Sequence, residues 1–99
     1  MPKKLVRDNV PEIIRANGET PIIRTLSDDE YLIALDDKLR EEVAEYLEAN
    51  DLAEVADILE VLRAILVARG SDYTQFEAIR KEKLDKRGGF EKHISLTTG

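Results

Sequence analysis

The chain has no cysteine and a single histidine, His93. Without thiols there is no disulfide framework, no zinc finger and no cysteine nucleophile, and one imidazole is too few for a histidine-rich metal site. Any metal must therefore be held by oxygen. No apolar run approaches the roughly 20 residues that a membrane-spanning helix needs. The opening MPKKLVRDNVPEII lacks the apolar core and small-residue cleavage site of a secretory signal. A soluble, cytoplasmic protein that does not engage membranes is the expectation. The 42% of hydrophobic residues also separates it from disordered chains, even with 36% charged residues.

Ninety-nine residues make one domain, 1–99, with little core of its own, so self-association is expected. The net charge of −6 is unevenly spread. Residues 1–27 hold 5 basic and 3 acidic side chains, 28–60 hold 2 and 13, and 61–99 hold 8 and 5. An acidic centre repels nucleic-acid phosphates unless a cation intervenes, which argues against a nucleic-acid partner.

The pattern predicts an all-α protein with short extended segments near its ends. A short helix spans Val10 to Ala16, with Pro11 in its first turn and Gly18 behind it. Ser27 followed by Glu30 is a capping-box spacing, and the helix it opens runs to Ala49. Asn50 and Asp51 mark a tight turn, and a second long helix ends at Gly70. Ser71 is the expected cap of a third, which Gly88 and Gly89 stop near Arg87. Thr20–Leu26 is β-rich, and its Pro21–Leu26 part is a candidate for pairing with the tail FEKHISLTTG, where Ile94 and Leu96 alternate with polar residues.

On a helical wheel Tyr31, Leu32, Leu35, Leu39, Val43 and Tyr46 define one apolar face, with Glu42 inside it and Glu45 at its edge. Val55, Ile58, Val61, Leu62 and Ile65 define a second face, with Glu54 inside it and Asp57 at its edge. Packed antiparallel about a turn between Ala49 and Asn50, positions whose numbers sum to 99 lie at equal height. Glu45 then faces Glu54 and Glu42 faces Asp57, in two rows about 4.5 Å apart along the axis. Four carboxylates in a half-apolar groove either protonate or bind a cation. Oxygen ligands alone suit Mg²⁺ or Mn²⁺. The remaining acids, such as Asp36, Asp37, Glu48 and Glu60, read as a solvated surface.

EEVAE at 41–45 and EVAD at 54–57 resemble the EExxE and ExxD signature of the all-α nucleoside triphosphate pyrophosphohydrolases, the MazG and phosphoribosyl-ATP pyrophosphohydrolase superfamily. KLVRDNVPEII and KRGGFEKHISL resemble the flanks of its small MazG-like, house-cleaning branch. Only eight residues separate Glu45 from Glu54, fewer than the usual pattern has. The resemblance implies Mg²⁺-dependent cleavage between the α and β phosphates of a nucleoside triphosphate, of a non-standard or modified kind, giving a monophosphate and pyrophosphate.

It further implies Glu42, Glu45, Glu54 and Asp57 as metal ligands and Glu41 or Glu42 as the residue acting on water. Lys4, Arg7, Lys83, Lys86 and Arg87, with the backbone at Gly88 and Gly89, are the candidates for phosphate. A homodimer or larger homo-oligomer that completes a four-helix antiparallel bundle is the expected assembly. Phosphoribosyl-ATP hydrolysis and a non-catalytic helical dimerisation module are the competing readings.

Overall fold

A computed structural model describes residues 4–97. Four helices follow one another: α1 (Val10–Ala16), α2 (Asp28–Ala49), α3 (Leu52–Ala68) and α4 (Tyr73–Arg87). Among the described residues there is no strand.

Local chemistry sets the helix ends. Ser27 Oγ accepts the Glu30 amide at 3.2 Å, and Glu30 Oε1 accepts the Ser27 amide at 3.0 Å, so the box at the start of α2 is closed in both directions. Arg24 grips the same Glu30 through two donors at 3.1 and 2.8 Å. That guanidinium, followed by the Ser27 bonds, lowers the Glu30 carboxyl to about 2. At the other end Asn50 takes the left-handed conformation, φ 54°, and its amide donates to the Tyr46 carbonyl at 2.7 Å. Asparagine tolerates that region better than most side chains, which allows the reversal into α3.

The expected cap of α4 moves by one residue. Asp72, in extended conformation, accepts the Gln75 amide at 2.8 Å, whereas the Ser71 hydroxyl donates to the Asp72 carbonyl at 3.3 Å. The expected pairing of Pro21–Leu26 with the tail is not formed among the described residues. Ile22, Ile94 and Leu96 all stand in solvent, because no third element backs either segment and an isolated strand pair buries too little to persist. Thr98 and Gly99, at the end of that tail, lie outside the described residues.

The core is the antiparallel seam between α2 and α3. Leu35 and Val61 are buried there together with Glu42, and Tyr31, Leu39, Tyr46, Ile58 and Ile65 are half-buried. The wheel also assigns Val43, Val55 and Leu62 to the apolar faces, yet they remain exposed. Two helices cover only the stripe along which they touch, and α3, apolar on most of its circumference, has more to bury than α2 can cover.

The chain consequently spreads. Its Cα radius of gyration is 17.5 Å, against about 13 Å for a compact domain of this length. Its accessible surface is 8938 Å², where a folded monomer of its mass exposes about 5,700 Å². Among the described residues no helix is long and apolar enough to cross a membrane.

Leu35→Ala leaves a cavity at the most deeply buried side chain among the described residues and should cost about 3 kcal/mol. Ser27→Ala removes one cap bond and should cost about 1 kcal/mol. Urea unfolding followed by circular dichroism measures both, and equal losses would contradict this ranking.

Candidate metal centre

The two interior helices deliver the acids by their local geometry. Glu41, Glu42 and Glu45 sit within one turn of α2, and Glu54 and Asp57 within one turn of α3. Asp51 caps α3 by accepting the Glu54 amide at 3.1 Å. That cap uses the Asp51 side chain alone, which leaves the Glu54 carboxylate available to the interior.

Glu42 is 7% exposed, and its Oε2 atom is buried without a hydrogen-bond partner. Oε2 of Glu54 is buried and unpartnered as well. One oxygen from each of Glu42, Glu54 and Asp57 lies within 4.8 Å of the others, and Glu41, Glu42 and Glu45 form a second such group. Glu42 belongs to both. The four acids expected at equal heights thus resolve into a triplet bridging both helices and a second triplet along α2, hinged on one buried side chain.

Cations approach from two directions. The N-terminal arm brings Lys4 Nζ to 3.2 Å from Glu41 Oε1 and Arg7 Nη2 to 2.7 Å from Asp57 Oδ1. Lys38, on α2 itself, reaches Glu42 Oε1 at 3.3 Å and Glu41 Oε2 at 3.4 Å. Lys38 escaped the sequence reading, although its spacing of three and four residues from the two glutamates is the signal that could have found it. The arm, α2 and α3 together wall a groove of about 670 Å³ whose lining includes Val10, Tyr31, Lys38, Glu42, Asp57 and Val61.

The remaining phosphate candidates are elsewhere. Lys83, Lys86 and Arg87 are exposed on α4, Lys86 is paired with Glu82 at 2.9 Å, and none of them lines this groove. Gly88, with φ 79°, ends α4 in open space, while Gly89 lies against the Glu91 carboxylate. Within one protomer the basic end of α4 and the acid centre are therefore not brought together.

Electrostatics follow the geometry. The charge of Glu42, aided by lost hydration, raises the pKa of Glu45. Lost hydration raises that of Glu54, with the charges of Asp51, Asp57 and Glu42 adding to it. For Glu41 lost hydration acts upward, but the Lys4 hydrogen bond and the charges of Lys38 and Lys4 outweigh it, and its pKa falls. The centre thus mixes carboxyls whose pKa is raised with one whose pKa is lowered.

This donor set fits a hard divalent cation. Two oxygens bound to one Mg²⁺ at about 2.1 Å are at most about 4.2 Å apart, so the Glu42, Glu54 and Asp57 oxygens need only small side-chain rotations to share an ion. A cation would also give the two orphaned oxygens the partner they lack. Glu42, Glu54 and Asp57 are the residues that could hold it, with Glu45 at reach of Glu42.

A carboxyl whose pKa rises on folding contributes stability through its proton. That contribution is present below the unfolded value near 4.5 and is lost as pH rises through the higher folded value. Glu54→Gln should therefore be more stable than the parent chain at pH 7 without divalent ions, with the gap closing as pH falls below 4.5. Saturating Mg²⁺ should reverse the order: at a hundredfold excess over Kd one bound ion adds about 2.7 kcal/mol to the parent chain, roughly 10 °C or more in melting temperature for a domain this small. Thermal melts across pH, with Mg²⁺ or with chelator, test both signs.

Comparison with known proteins adds little to this geometry. No protein-family model matches the chain, and no solved structure matches it. A protein of Mycolicibacterium smegmatis described only as uncharacterized is 66% identical over 53 residues, which are 54% of this chain and 53% of the relative. The match spans about half the length of each protein.

Proposed function

We propose that the chain is a divalent-metal-dependent nucleotide pyrophosphohydrolase that cleaves the α–β phosphoanhydride of a non-standard or modified nucleoside triphosphate. One observation carries the reading: Glu42 is buried with an unpartnered oxygen while Glu54 and Asp57 present oxygens within 4.8 Å. Burying a carboxylate without a full set of partners costs several kcal/mol, a cost that a purely structural helix pair would avoid with an apolar side chain. That argues against a scaffold without turnover.

Bound at Glu42, Glu54 and Asp57, Mg²⁺ or Mn²⁺ supplies neutralisation of phosphate charge in the transition state. The chain supplies the rest. Lys4 and Arg7 on the arm, with Lys38 on α2, form a cationic border to the groove, and their present carboxylate partners would exchange them for phosphate oxygens. Of Glu41 and Glu45, the raised pKa makes Glu45 the better proton acceptor, while the Lys4 and Lys38 contacts lower the pKa of Glu41 and fix its orientation. The apolar lining of the groove at Val10, Tyr31 and Val61 suits the uncharged part of a nucleotide.

The same reading includes a homodimer, supported by about 3,200 Å² of surface beyond what a folded monomer of this mass exposes. A second copy would complete four long helices around a shared core.

A panel of standard and modified nucleoside triphosphates, assayed for pyrophosphate with and without Mg²⁺, tests the activity. Metal-dependent release is expected from at least one member, with Glu42→Gln and Asp57→Asn each reducing kcat/KM at least about a hundredfold, some 2.7 kcal/mol of transition-state stabilisation. A folded protein that releases no pyrophosphate from any member in saturating Mg²⁺ or Mn²⁺ would refute it. Growth of a histidine auxotroph rescued by the chain would move the assignment to phosphoribosyl-ATP.

A further inference from the structure

The flank of the α2–α3 hairpin away from the acids is apolar and uncovered. On α3 the residues Leu52, Val55, Leu59, Leu62 and Leu66 recur at alternating steps of three and four, the seven-residue repeat of a coiled-coil seam. Their mean direction is more than 100° from that of Glu54, Asp57 and Val61, by the wheel of 100° per residue. Leu52 is 84% exposed, Leu59 54%, and Val55 and Leu62 41% each; Leu66 is half-buried.

The flank is continuous across both helices. In an antiparallel pair, residues displaced in the same rotational sense from the contact line fall on the same side. That puts Glu45 and Asp57 on one side, as the acid triplets require, and Leu39 and Val43 beside Val55 and Leu62 on the other. The seam is also nearly symmetric about Leu59. Turned end for end, Leu52 exchanges with Leu66, Val55 with Leu62, and Leu59 meets itself.

We propose that this seam is where a second copy of the chain docks, antiparallel, with a two-fold axis through Leu59. The inference rests on the homodimer reading for its occupant and adds the face, the direction and the register. Self-complementarity selects a second copy over an unrelated partner, because an isologous interface requires the same patch to fit its own rotated image. The area suffices: a stable interface buries about 800 Å² on each partner, and each chain, its extended segments included, exposes about 3,200 Å² more than a folded monomer of its mass. With this face joined, both acid grooves point outward on opposite sides of the dimer, each complete within its own protomer.

The absence of native cysteine makes the register directly readable. Leu59→Cys should form a disulfide-linked dimer on mild oxidation, since its thiol faces the same thiol of the partner. Leu52→Cys should not, because its copies lie about 21 Å apart in this register, beyond the roughly 7 Å that a disulfide spans. Sedimentation equilibrium of the unmodified chain should give a dimer. Leu59→Glu and Leu59→Lys should each raise the dimer dissociation constant at least about tenfold, and mixing the two should restore it. Glu42→Gln should leave all of this unchanged.

Equal linkage at Leu52 and Leu59 would mean a parallel pair and overturn the register. A dimer that does not link at Leu59 would overturn the seam but leave the homodimer standing. A folded monomer by sedimentation would overturn both. Leu59 is exposed in the single chain, so its replacement does not disturb the protomer's own core, and circular dichroism of each variant checks this.

Discussion

A carboxylate shut into the seam between two helices, with one of its oxygens unanswered, is the constraint around which the molecule is organised. Glu42 occupies the same buried layer system as Leu35 and Val61, where a leucine would pack at no electrostatic cost. Its charge is instead propagated outward. It raises the pKa of Glu45, adds to that of Glu54, and draws Lys38 to 3.3 Å. The arm contacts of Lys4 and Arg7 extend the same compensation to Glu41 and Asp57. Each cation is answered by an acid already, yet the buried oxygens of Glu42 and Glu54 still lack partners. A small hard cation, as proposed above, would reach both without needing a stem of its own.

The second constraint is quantity of apolar surface. A hairpin of 22 and 17 residues can enclose one line of side chains, and it encloses Leu35 and Val61. One flank of that line carries the acids, of which Glu41, Glu42 and Asp57 find cations, while the other carries the aliphatic Leu52, Val55, Leu59 and Leu62, which stay exposed within the protomer. The asymmetry separates two surfaces by geometry: an acidic one on one side and an aliphatic one on the other. It also keeps them independent, since neither face needs residues of the other.

Much of the site was legible beforehand because it depends on short-range periodicity. The register that matches Glu42 with Asp57 follows from a two-residue reversal at Asn50 and Asp51, and the left-handed Asn50 supplies that reversal. The capping-box spacing at Ser27 and Glu30 likewise translated into bonds. Other features were not legible for identifiable reasons. Asp72 displaced Ser71 as the cap of α4 because either residue can serve and only the backbone conformation chooses between them. The β-propensity of Thr20–Leu26 had no surface to pack against. Lys38 read as an ordinary surface lysine until the arm and α3 closed around its neighbours.

Sequence alone determined the four helices and the caps at Ser27 and Asp51, since these depend on residues within a few positions of one another. The tertiary arrangement decided which acid is buried, that Glu42 rather than Glu45 links the two triplets, and that the N-terminal arm and not the basic end of α4 reaches them. It also decided that Val43, Val55 and Leu62 stay in solvent. Burial and charge pairing depend on what lies across the helix pair, and no local pattern encodes the distance between an arm and a groove fifty residues apart along the chain.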